Sequence, residues 1–226
     1  FMNCSKLTNF ELPEGLAELG GAVFAGCSSI SSMTLPEGLV TLGTTTFSLN
    51  NIYQGIGIFT GTAITSLVIP STVTSIAPGA FTGCALQSLT VAPAAEGATA
   101  AYVAENNVLY NADKTLLVAY ASSNTEFTIP ASVTEIEEYA FSGSAIENIT
   151  IPATVQYIGE GAFSDCIDLT TVVFEGSVGV RVSVSTTYQN QLADFMFAGC
   201  TSLESVTLPE DLEVIGASAF DGCGSL

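Results

Sequence analysis

LESVTLPEDLEVIGASAFDGC (Leu203–Cys223) is the unit from which nearly all of the chain is copied. Apolar residues stand at Leu203, Val206, Leu208, Leu212 and Ile215, followed by Ala219-Phe220 and Gly222-Cys223. Phe220 lies 11 residues after Pro209, and the same offset joins Pro13 to Phe24, Pro36 to Phe47, Pro70 to Phe81, Pro130 to Phe141 and Pro152 to Phe163. One offset repeated this often marks an array. A fixed period of roughly 20–30 residues implies one supersecondary unit per period, none able to bury its apolar face alone, stacked so that neighbours share a core.

Outward from that unit, Phe1, Phe24 and Phe47 keep a 23-residue period. Each repeat holds a short alternating run such as Met33-Thr34-Leu35, which reads as a half-buried strand. Proline ends it, having no N–H for a ladder. Three and six residues after each proline come further apolar positions: Leu16 and Leu19, Leu39 and Leu42, Val73 and Ile76, Val133 and Ile136, Val155 and Ile158, Leu212 and Ile215. These read as a second layer on the opposite side. The Ala-Phe-x-Gly-Cys segment reads as a short helical turn or tight corner with its ring inserted between layers.

Three stretches interrupt the period. Phe59, 22 residues before Phe81, is the expected column member there, which makes residues 48–58 an insertion. Residues 180–191 are a second insertion. Residues 92–127 are the third, where two β-rich runs flank Asn111-Ala112-Asp113-Lys114 and read as a hairpin with a polar turn. The expected fold is one mainly β solenoid over residues 1–226. It has about nine coils, short parallel strands on one face, tight turns or short helical turns on the other, and a β-hairpin insertion. Phe1 and Leu226 both fall in mid-repeat, so a portion of a longer protein is expected.

Composition narrows the function. Three basic residues, Lys6, Lys114 and Arg181, face 22 acidic ones, for a net charge of −19. Nucleic acid is excluded as a partner, because its affinity depends on neutralising phosphates with basic side chains. No apolar run is long enough to insert in a membrane. The chain has no histidine, which removes the commonest general base and transition-metal ligand. Carboxylate groups such as Glu135, Glu137 and Glu138 read as a solvated edge, since like charges in a run usually face water. No catalytic, cofactor-binding or metal-binding residue is therefore assigned, and no cofactor is expected.

The six cysteines, Cys4, Cys27, Cys84, Cys166, Cys200 and Cys223, each follow a column phenylalanine by three residues, and Thr62 and Ser144 hold the same place after Phe59 and Phe141. The position selects a small side chain that can be buried. Stacked turns ~4.8 Å apart keep these side chains parallel, whereas bridged Cβ atoms approach to ~3.8 Å, so free thiols are expected.

IPSTVTSIAPGAFTGCALQSLTV (Ile69–Val91) and IPASVTEIEEYAFSGSAIENITIP (Ile129–Pro152) closely resemble the BspA-like leucine-rich repeat family. The NNVLYNADKTLLVAY segment also resembles an element interspersed between such repeats. The resemblance implies a leucine-rich repeat solenoid. It also implies a noncatalytic extracellular interaction or adhesion module of a bacterial surface or secreted protein, its partner a host or neighbouring-cell protein or glycan. A structural spacer presenting another domain, or a glycan-binding component of a nutrient-uptake system, are the alternatives.

Five of the seven tyrosines, Tyr53, Tyr102, Tyr110, Tyr120 and Tyr188, lie in the insertions. Tyrosine beside amides suits protein or glycan surfaces. Tyr53, Gln54, Arg181, Tyr188, Gln189 and Asn190 are the candidate ligand contacts, against the plainer reading that such tyrosines cap the solenoid's flank.

Overall fold

The computed structural model describes residues 1–8, 10–43, 56–179 and 190–226. The chain forms two compact units, Phe1–Ala112 and Asp113–Leu226. Both are built of stacked coils, about eight turns in all against the nine expected, with no helix among the described residues.

In the first unit the strands are β1 Glu18–Leu19, β2 Thr41–Leu42, β3 Ser66–Ile69, β4 Ser75–Ile76, β5 Ser88–Val91, β6 Tyr102–Glu105 and β7 Val108–Asn111. In the second they are β8 Leu116–Tyr120, β9 Glu135–Ile136, β10 Asn148–Ile151, β11 Tyr157–Ile158, β12 Thr171–Phe174, β13 Gln191–Leu192, β14 Ser205–Thr207 and β15 Val214–Ile215. Each unit carries two parallel ladders. The runs before the prolines pair in register as β3–β5 in the first unit and β10–β12–β14 in the second. The apolar positions after the prolines, expected only as a second layer, are themselves two-residue strands, β1, β2, β4, β9, β11 and β15, which pair as β1–β2–β4, β9–β11 and, with β8 and β13 of the insertions, β8–β9 and β13–β15. Met33-Thr34-Leu35 has the expected burial alternation without belonging to a ladder.

The corner between the ladders is where the repeat is fixed. Phe24, Phe59, Phe141, Phe163 and Phe197 are fully buried. Their rings stack, with centroids 6.0 Å apart for Phe24–Phe59, 4.9 Å for Phe141–Phe163, 5.6 Å for Phe163–Phe197 and 5.4 Å for Phe197–Phe220. The backbone reaches this geometry with left-handed residues on both sides of the ring. Two residues before it stand Ala22, Gly79, Tyr139, Gly161, Phe195 and Ser218; two after it stand Asn3, Gly26, Gly61, Gly83, Gly143, Asp165, Gly199 and Gly222, all at positive φ. A second left-handed residue so close to the first forbids a helical turn, which settles the corner as non-helical. Consecutive corners bond to each other: Phe141 N–H to the Ala162 carbonyl at 2.8 Å, Phe163 to Met196 at 2.9 Å and Phe197 to Ala219 at 2.8 Å.

All six cysteines are free, and four of them show why the position is never apolar. The thiols of Cys27, Cys166, Cys200 and Cys223 each donate at 3.1 Å to the carbonyl of the preceding coil's phenylalanine, Phe1, Phe141, Phe163 and Phe197. That carbonyl already accepts a turn N–H from its own coil, as from Ser144 to Phe141 at 2.9 Å. Thr62 instead donates within its own coil, to the Phe59 carbonyl at 2.8 Å. A small side chain carrying a hydrogen-bond donor is the requirement, because a buried acceptor left short of partners is costly.

The third insertion contributes a hairpin not anticipated from sequence, ahead of the expected turn at Asn111–Lys114, which joins β7 to β8, its neighbour in the sheet order. β6 and β7 pair antiparallel around Asn106-Asn107, both left-handed at φ 51° and 65°. Asparagine tolerates that region, which suits the two-residue turn of a twisted hairpin. The expected turn contains an Asx turn at Asp113–Thr115, in which the Asp113 carboxylate accepts the Thr115 N–H at 3.2 Å and the Thr115 hydroxyl at 2.6 Å. β8 then runs straight from Leu117, in register with Ile136, to Tyr120, whose ring stacks 5.2 Å from Phe141. Tyr120 thus fills a phenylalanine's place three residues after the strand position, where Phe141 takes five after Ile136.

Two predictions follow from this packing. Phe141→Ala should cost about 3–5 kcal/mol in chemical denaturation, the value for truncating a buried aromatic. Cys200→Ala should cost about 1 kcal/mol more than Cys200→Ser in the same measurement, since only alanine leaves the Phe163 carbonyl without its second donor.

Candidate binding surface

The second unit's strand face is the best-formed surface in the described residues. In-register pairing aligns Asn148 with Thr171 and Ser205, Ile149 with Val172 and Val206, and Thr150 with Val173 and Thr207. Period-2 alternation buries Ile149 and Val172 and leaves Asn148, Thr150, Ser205 and Thr207 exposed. Glu126 extends the face by one coil through a parallel bridge to Asn148. A groove of about 320 Å³ runs across it, with Glu126, Thr128, Asn148, Thr150, Val173 and Glu175 among its lining.

Two features of this lining come from departures in the repeat. Ile151 pairs with Phe174, so Glu175 falls beside Pro152, at the proline position of other coils. Having an N–H, it extends the ladder by one bond, to the Ile151 carbonyl at 3.0 Å. At the other end of the strands, the Thr170 hydroxyl donates to the Glu147 carbonyl at 3.0 Å and to Asn148 Oδ1 at 3.1 Å, which fixes the amide at the rim.

The acidic residues at the corner edge are engaged within the stack instead. The Tyr139 hydroxyl donates to Glu160 Oε1 at 3.1 Å, and the Asp194 carboxylate accepts the Ala217 N–H at 2.7 Å. A Cβ at Gly161 would run into the Tyr139 ring, so glycine there is what lets the left-handed tyrosine lie flat on the next coil. Burial, and then the charges of Glu137 and Glu160, push the Glu138 carboxyl above its ordinary range. Burial followed by Glu160 raises the Tyr139 phenol likewise. Among the described residues, no group of three or more histidine, cysteine, aspartate or glutamate side chains is arranged to hold a metal ion.

Two of the thiols are poor nucleophiles. Burial pushes Cys84 up to about 12, and contact with the Cys166 sulfur together with burial raises Cys200 well above the ordinary thiol range. At neutral pH both stay protonated, the state their hydrogen bonds to carbonyl oxygens require.

Of the six candidate contacts, Tyr53, Gln54, Arg181, Tyr188 and Gln189 lie outside the described residues. Asn190 is half-buried at φ 75°, and its carbonyl accepts the Glu213 N–H at 2.8 Å, which ties its backbone to the next coil. The other insertion tyrosines pack internally. Tyr110 is buried, Tyr102 accepts the Ile76 N–H at 3.1 Å, and Tyr120 donates to the Asn124 carbonyl at 3.0 Å. Thr150, Val173 and Thr207 are legible in sequence as outward positions, but the groove they help form was not. The available signal was Glu175 standing in a proline column.

Comparison with known proteins matches residues 1–58, 54–98 and 118–226 to the BspA type leucine rich repeat region, in six copies. The chain belongs to the BspA-type leucine-rich repeat family. No curated protein matches it. Among solved structures, this BspA-type chain is similar to a leucine-rich repeat protein from Eubacterium ventriosum, at 24% identity and a TM-score of 0.69. A leucine rich cell surface protein from Faecalibacterium prausnitzii gives 27% and 0.69, and the pneumococcal vaccine antigen PcpA gives 19% and 0.63. These likenesses cover 100%, 100% and 98% of this chain but 67%, 60% and 56% of those chains. No helix among the described residues is long and apolar enough to cross a membrane.

Glu138 yields a prediction with a definite sign. Its folded carboxyl titrates above its ordinary value, so protonation favours the fold: the contribution is complete at acid pH and is lost as pH rises through the raised value. Glu138→Gln should therefore stabilise the protein at pH 7, by less than about 1 kcal/mol because the group is partly solvated. Denaturation midpoints should show the gain at pH 7 and none near pH 4.

Proposed function

We propose that this BspA-type segment is a noncatalytic, extracellular interaction module of a bacterial surface or secreted protein, acting in adhesion, with the strand face of its second unit as the contact surface. The observation that carries this reading is the Thr128–Asn148–Thr150 groove. It is concave, exposed and lined by side chains, on a sheet whose central strand has its backbone bonds used on both sides. Such a surface can vary in recognition without disturbing the fold, as repeat proteins do along their concave faces. The family supports the surface role, as does the likeness to a Faecalibacterium prausnitzii cell surface protein. The hydroxyl, amide and carboxylate groups available suit binding. The segments bearing Tyr53, Gln54, Arg181, Tyr188 and Gln189 are proposed as a second contact element, on the strength of tyrosines set among amides.

The test is adhesion to immobilised host-surface and matrix proteins, with a glycan array run beside it. Thr150→Trp, which fills the groove on an exposed strand position, should reduce binding at least about tenfold. Ser132→Trp, on an exposed turn, should leave it unchanged. Equal binding by wild type and Thr150→Trp would overturn the assignment of the face, and glycan binding lost with the same substitution would replace a protein partner by a sugar.

A further inference from the structure

We propose that this groove takes an extended, cationic segment of a partner protein, with basic side chains on Glu126 and Glu175. The inference rests on the strand face being the contact surface and adds the chemistry of what it contacts. Glu126 and Glu175 are the ionisable residues of the lining, and both are exposed. Glu147 and Glu204, at the rim beside Thr170, are exposed as well. No basic residue lines the groove among the described residues, and the chain has only three in all against 22 acidic ones. An anionic ligand would meet repulsion from every side, and a neutral one would leave the carboxylates without a partner. A cationic one gains from both, in encounter rate as well as in contact.

The backbone of β12, at the centre of the face, is hydrogen-bonded on both sides, to β10 and to β14, so a segment lying over it finds no free backbone group there. It must lie across the face and be held by side chains. Thr128, Asn148, Thr150 and Thr171 offer hydroxyl and amide groups that both donate and accept, which matches the unpaired N–H and C=O groups of an extended peptide.

Register sets the spacing of the basic residues. Glu126 aligns with Asn148 and Thr171, while Glu175 lies four residues beyond Thr171, two coils away from Glu126. At ~3.3 Å per residue along the strand and ~4.8 Å between strands, these corners are roughly 16 Å apart. An extended segment covers about 13 Å between positions i and i+4, which project to the same side, and long lysine or arginine side chains span the rest. The expected motif is therefore Lys or Arg at i and i+4, with small or polar residues between.

The experiment is selection from a random peptide display library on the whole 226-residue protein, with counter-selection on Thr150→Trp. Binders lost with Thr150→Trp should be enriched in basic residues four apart. A synthetic peptide of that pattern should bind Glu126→Gln/Glu175→Gln about tenfold more weakly than wild type, and its affinity should fall steeply with salt. It should bind Glu14→Gln/Glu37→Gln, which removes the same charge from exposed positions in the first unit, within about twofold of wild type. Equal weakening by both double variants would reduce the effect to bulk charge and overturn the proposal. Groove-dependent binders without basic residues would overturn it too while leaving the strand face as the contact surface; an absence of groove-dependent binders would remove both.

Discussion

The stacking of one aromatic ring per coil is the constraint on which the rest of this structure depends. Rings 4.9–6.0 Å apart must follow coils at strand spacing, so the chain has to return to the same place in the same orientation each time. Left-handed residues two before and two after the ring achieve this, and they hold the corner's N–H and C=O groups in line for the next coil. Each stacked pair contributes about 0.5–1.5 kcal/mol beyond its buried area. The array, more than any single contact, makes the register worth keeping. The same corner produces a buried carbonyl needing a second donor, which explains cysteine, serine or threonine three residues after the ring and accounts for six thiols without a disulfide.

Much of this was legible because the ring is bulky and the proline is rigid. The Pro–Phe offset sets the phase of the regular coils, and the 22-residue spacing back from Phe81 correctly places Phe59 in the column after a broken period, where its ring stacks on Phe24. What escaped was short or locally atypical. The second ladder uses strands of two residues, and apolar positions three apart give no alternation from which to read a strand. Tyr139 and Phe195 are left-handed although bulky, which no propensity favours; the first is licensed by Gly161 in the next coil, information 22 residues away. The turn at Asn111–Lys114 was legible, but the second one at Asn106-Asn107 was overlooked, because short polar pairs are common in loops and only pairing shows which of them turn a hairpin.

The division of labour between backbone and side chain explains why such a repeat fits recognition better than catalysis. Its ladders saturate the backbone, its aromatic column fills the interior, and its thiols are spent on carbonyl oxygens. Burial raises the Cys84 thiol, and acids at the corner edge bond to neighbouring coils. The remaining freedom lies in the outward residues of the strand face. Substituting them changes neither register nor core.

Departures from the repeat therefore sort by which way they point. Tyr120 in place of phenylalanine points inward and continues the ring stack from a straight strand. Phe174, where other coils carry leucine, isoleucine or valine, also points inward and meets Phe197 edge-on at 6.4 Å. Ala92 and Glu175 both stand where proline is usual, and each uses its N–H for one more ladder bond, to Ile69 at 2.8 Å and to Ile151 at 3.0 Å. That bond accounts for losing the proline; any residue with an N–H would satisfy it. It does not account for a carboxylate at the rim of a groove whose other charged residue is also a glutamate. The structural part of the position is explained by the backbone alone, and the charge left over is the part that points to a partner.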